Sequence, residues 1–65
     1  MKLTVLGSSS VDGDCPTLYA TDRGTLVVQG LKLDVEVLAS LTMPERETAV
    51  EIPMALLRFA PMPDV

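Results

Sequence analysis

Histidine and tryptophan are absent from the 65 residues, and cysteine, tyrosine and phenylalanine occur once each. Each gap excludes something. Without imidazole, the commonest general base and the commonest metal ligand are missing. A structural zinc site, which normally takes four Cys or His ligands, has no donor set. Cys15 alone supplies neither an internal disulfide nor a redox pair. The expectation is a chain with no catalytic residues, no cofactor and no metal.

Long apolar runs are lacking too. No stretch approaches the ~20 residues of a membrane span. The opening run, Met1 to Leu6, gives way to Gly7-Ser8-Ser9-Ser10, which is too short for the apolar region of a signal peptide. A lone reduced cysteine suits the cytosol, so a cytoplasmic protein without membrane contact is expected. Basic charge is also scarce, with five Lys and Arg against nine Asp and Glu for a net charge of −4. Lys2, Arg23, Lys32, Arg46 and Arg58 are scattered, whereas a nucleic-acid surface needs clustered cations. Direct nucleic-acid binding is therefore not expected.

What is present is aliphatic: 48% of the residues are apolar. Residues 1–65 read as a single small domain, and a chain of this length buries only roughly 60% of the surface its unfolded form exposes. Small domains supplement thin cores with disulfides, metals or association. Only association is left.

Lys2 to Leu6 reads as a strand with Leu3 and Val5 on one face, ending at Gly7. The turn formers that follow make Gly7 to Pro16 a loop. Thr17 to Gln29 carries the clearest pattern, two β-prone runs flanking Asp22-Arg23-Gly24. A three-residue connection favours a type I turn followed by a left-handed residue, which Gly24 adopts without steric cost. The implied register opposes Thr21 to Thr25, Ala20 to Leu26, Tyr19 to Val27 and Leu18 to Val28. It gathers Leu18, Ala20, Leu26 and Val28 on one face, and a slip of one residue would scatter them.

Leu31 to Val37 alternates as a strand would, yet it also fits a helix in which Asp34 is the N-cap and Val35, Leu38 and Leu41 share a stripe. Asp34 to Leu41 is thus helix or strand. The expectation is an extended piece through Leu33 followed by a short helix. Thr48 to Ile52 reads as a strand with Val50 and Ile52 inward. Pro53 suits the first position of a helix running to Ala60, and Pro61 and Pro63 end it. The fold class expected is α+β, a small antiparallel sheet of about four strands with a short middle helix and a C-terminal helix packed on it.

Three motifs offer chemistry, each weakly. Asp12-Gly13-Asp14 is a poor calcium loop, because its twelfth position is the cation Arg23. Gly7-Ser8-Ser9-Ser10 lacks the lysine of a phosphate-binding loop. Cys15 sits beside Asp14, which disfavours a thiolate. The better candidates are apolar anchors for a partner: Tyr19 and Val27 on the hairpin, and Met54, Leu57 and Phe59 near the C-terminus, where aromatic and Met side chains are typical of interfaces.

In order, Ser8-Ser9-Ser10, Gly13 and Cys15, the hairpin, and a strand leading through Pro53 into a Leu-rich helix resemble the small actinobacterial domain family that includes BldB. The resemblance runs through most of the chain in outline. Pro16 after the cysteine, Gln29-Gly30, the absence of Trp and the stretch from Leu31 to Glu47 depart from the family pattern. It implies a regulatory module that acts by protein contact beside a helix-turn-helix transcription regulator. The first strand and hairpin also resemble the opening of metallo-β-lactamase-fold enzymes, but the His-rich metal motif has no counterpart here.

The reading is a non-catalytic protein-interaction module, self-associating as a homodimer or partnering a helix-turn-helix regulator. Two alternatives stand beside it: a ligand-binding module built on the loop from Gly7 to Pro16, and a structural subunit of a homo-oligomer.

Overall fold

A computed structural model of the chain describes residues 1–9 and 16–61. The element order is β1 (Leu3–Ser8), β2 (Thr17–Thr21), β3 (Leu26–Gln29), β4 (Leu31–Lys32), α1 (Val35–Ala39), β5 (Val50–Glu51) and a C-terminal 3₁₀ helix, η1 (Met54–Phe59). The class is α+β, as the sequence pattern implies. The strands divide into an antiparallel sheet ordered β1-β2-β3 and a two-stranded ribbon, β4-β5.

The hairpin has the register that the apolar pattern requires, with Leu18 opposite Val28, Tyr19 opposite Val27 and Ala20 opposite Leu26. Gly24 occupies the left-handed region at φ 75°. Thr21 organises the turn from both sides: its N–H donates to the Thr25 carbonyl (2.9 Å), and its Oγ1 accepts from the N–H groups of Arg23 (3.1 Å) and Thr25 (3.2 Å). An unlinked pair of donors in the tight turn is thereby satisfied by one hydroxyl, as in an ST-turn.

β1 does not stop at Gly7. It pairs with β2 from Leu3 opposite Thr21 to Val5 opposite Tyr19, shifts register at Leu6, and resumes with Gly7 opposite Leu18 and Ser8 opposite Thr17. The extra residue is a β-bulge, which bends the strand and lets it continue. A Cβ on Gly7 would lie 2.3 Å from the Phe59 ring, so the strand persists because glycine leaves the room that ring needs. Ser8 Oγ then donates to the Pro16 carbonyl at 2.6 Å, tying the end of β1 to the start of β2.

The core lies between the Leu18 face of this sheet and η1. Leu18 is 1% exposed and Leu56 0%, and no other large apolar side chain is fully buried among the described residues. Helix η1 is narrower than an α-helix, with three residues per turn. Pro53 precedes it in extended conformation as its N-cap, not as its first helical residue.

The middle segment resolves as expected in type, extended and then helical, but the helix is a single turn from Val35 to Ala39. Asp34 stands at its N-cap position without a side-chain capping bond. The stripe of Val35, Leu38 and Leu41 does not pack as a unit: Val35 is 83% exposed and Leu41 is exposed, leaving Leu38 half-buried. Ser40 ends the turn, its Oγ and N–H both donating to the Val37 carbonyl. In the ribbon, Val50 is exposed and Ile52 half-buried, so only Ile52 follows the inward expectation. Gly30 alone separates β3 from β4. A Cβ there would meet the Glu51 carbonyl oxygen at 2.6 Å, and this close pass is where the chain leaves the first sheet for the ribbon.

Candidate functional site

The antiparallel register assigns every side chain of the three-stranded sheet to a face, because opposed residues point the same way. Gly7, Leu18, Ala20, Leu26 and Val28 share the face that η1 covers. Leu3, Val5, Ser8, Thr17, Tyr19, Val27 and Gln29 share the other. On that second face Tyr19 and Val27 are directly opposed, and the Tyr19 hydroxyl donates to Gln29 Oε1 at 2.8 Å. The register sets Tyr19 opposite Val5, which is 63% exposed, and on the same face as Leu3, which is 46% exposed. Together they form an apolar strip with a threonine border.

The remaining anchors are divided by the three-residue period of η1. Leu56 and Phe59, three apart, turn toward the sheet: Leu56 is fully buried and Phe59 rests over Gly7. Met54 and Leu57, also three apart, turn outward and are 88% and 58% exposed. Arg58 lies over the outer side of the Phe59 ring at 5.5 Å, a cation-π contact that shields it further. The five candidate residues are thus not brought together. Tyr19 and Val27 lie on one side of the sheet, Met54 and Leu57 on the outer side of η1, and Phe59 between η1 and the sheet, where it serves packing.

Sequence reasoning missed Leu3 and Val5 as surface anchors. Alternation gives them a shared face, but only the pairing of β1 with β2 shows that this face is the Tyr19 face and not the covered one. Among the described residues, grooves flank the ribbon. One is lined by Pro16, Leu31, Glu51, Ile52 and Pro53, the other by Lys32, Leu33, Leu38, Thr48, Ala49 and Val50. Asp12, Asp14 and Cys15, the polar candidates of the loop, lie outside the described residues.

No protein-family model, no curated protein and no solved structure matches the chain significantly. Among the described residues, no helix is long and apolar enough to cross a membrane.

Proposed function

We propose that the chain is a non-catalytic interaction module whose core is completed by another polypeptide. One observation carries this reading. Among the described residues only Leu18 and Leu56 are fully buried large apolar side chains, whereas Leu3, Val5, Leu26, Met54 and Leu57 all stand exposed around the same sheet and its covering helix. Isolated exposed apolar residues are ordinary. A strip with Tyr at its centre and few charges beside it has the composition of an interface core.

The partner class suggested by the BldB-like resemblance is a helix-turn-helix transcription regulator in the cytoplasm, which this module would bind by protein contact without touching nucleic acid itself. Co-expression with any helix-turn-helix regulator found in a neighbouring reading frame tests this directly. The two chains should co-elute from a sizing column, and the Tyr19→Asp plus Val27→Asp variant should elute alone while keeping its far-UV circular dichroism. A wild-type chain that melts as a stable monomer at every concentration and retains no regulator would refute the module reading.

A further inference from the structure

From the edge of β1, which among the described residues pairs on one side only, with β2, we infer that a second copy of this chain pairs with it, antiparallel and about a two-fold axis, with Leu3 opposite Val5 of the other copy. The inference rests on the interaction-module reading and names its partner surface. Its basis is the direction of the backbone groups. In an antiparallel ladder, alternate residues direct both N–H and C=O toward the same neighbour. The Thr21 N–H bonds the Thr25 carbonyl across the hairpin, so Thr21 and Tyr19 serve β3, and Ala20 and Asp22 are left to serve β1. The Asp22 N–H indeed donates to the Lys2 carbonyl at 3.2 Å. Lys2 and Thr4 therefore turn toward β2, and the N–H and C=O groups of Leu3 and Val5 point out of the open edge.

That spacing selects a register. Leu3 against Val5 of a second copy makes a bonded pair, the two-fold repeats it, and Thr4 faces Thr4 at the centre, a favourable cross-strand pair. The bulge at Leu6 ends the flat stretch, so registers centred further along would run into the irregularity. Because the axis is perpendicular to the sheet, each copy's Leu3 and Val5 join those of the other on the Tyr19 face, extending one apolar strip across both molecules. Charge agrees. The chain carries −4 overall, yet β1 and its flanks hold Lys2 and no acid, so two acidic copies meet here without opposed carboxylates. The register also places the two Lys2 side chains at opposite ends. An isologous pair of this kind closes, whereas β1 against the shorter β3 edge would propagate. The contact is small beside the ~800 Å² per partner of a standard interface, so a Kd of about 10 μM to 1 mM is expected.

Sedimentation velocity on the full chain over that range, with amide exchange read by NMR, tests it. Wild type should dimerise, with the Leu3 and Val5 amides slowing at least tenfold as concentration rises while Thr4 stays unchanged. Val5→Lys, which charges the edge, should weaken dimerisation at least tenfold with its circular dichroism intact. Val5→Pro, which removes an edge-directed donor and leaves the β2 ladder alone, should do the same. A dimer protected at Met54 and Leu57 instead overturns the edge pairing and keeps the module reading. A monomer at 1 mM that still binds a regulator does likewise. A monomer that binds nothing overturns both.

Discussion

Gly7 and Gly24 are both glycines for steric reasons, but the reasons differ and so do the expected costs. At Gly7 the backbone would accept any residue and the space would not: a methyl group would stand 2.3 Å from the Phe59 ring. Gly7→Ala should cost about 1 to 3 kcal/mol, the range for overpacking, and much less when Phe59 is first shortened to Leu. Urea denaturation of the two single variants and the double variant measures that coupling. At Gly24 nothing lies within 4 Å of a Cβ, but φ is 75°, so the cost is in the backbone alone. Gly24→Ala should lose about 1 to 2 kcal/mol and Gly24→Asn distinctly less, since Asn visits the left-handed region more readily. Equal losses for the two variants in urea would contradict the turn assignment.

η1 shows how helix type decides which residues are core. With three residues per turn, Leu56 and Phe59 point inward, and Met54 and Leu57 outward. Leu56→Ala should therefore cost about 2 to 5 kcal/mol, enough to unfold a domain this small at 25 °C, whereas Leu57→Ala should stay within about 0.5 kcal/mol. Far-UV circular dichroism on heating separates the two, and similar losses would mean the helix is wound differently. Which parts were legible in the sequence follows from the same distinction between local and distant causes. The hairpin was legible because Gly24 and the alternation of Leu18, Ala20, Leu26 and Val28 lie within a dozen residues and agree. The one-turn helix after Asp34 was legible only as one of two options, since Val35, Leu38 and Leu41 suit either period. The continuation of β1 through Gly7 was not legible. It depends on Phe59, more than fifty residues away in sequence, and glycine beside three serines reads locally as a stop. The placement of the candidate anchors divides in the same way: the pairing of Tyr19 with Val27 is local and legible, but the separation of Phe59 from Met54 and Leu57 needs the winding of η1, and the face on which Leu3 and Val5 lie needs the β1-β2 pairing.

For the whole molecule, Leu18 and Leu56 are the only fully buried large apolar side chains among the described residues. On the proposal that contact between chains adds to this burial, mass action ties stability to concentration. Unfolding releases roughly 2 cal/mol/K of entropy per residue. For a dimer of this chain, a tenfold rise in concentration above the association midpoint should lift Tm by about 5 °C. Differential scanning calorimetry from 0.1 to 1 mM reads that slope, and Val5→Lys should flatten it while leaving the low-concentration Tm near that of wild type. The control matters because Val5 is exposed on the isolated chain, so a charge there changes little until a second strand arrives. If wild type and Val5→Lys melt at one high temperature at every concentration, the sheet and η1 already suffice as a core, and association is not what keeps this chain folded.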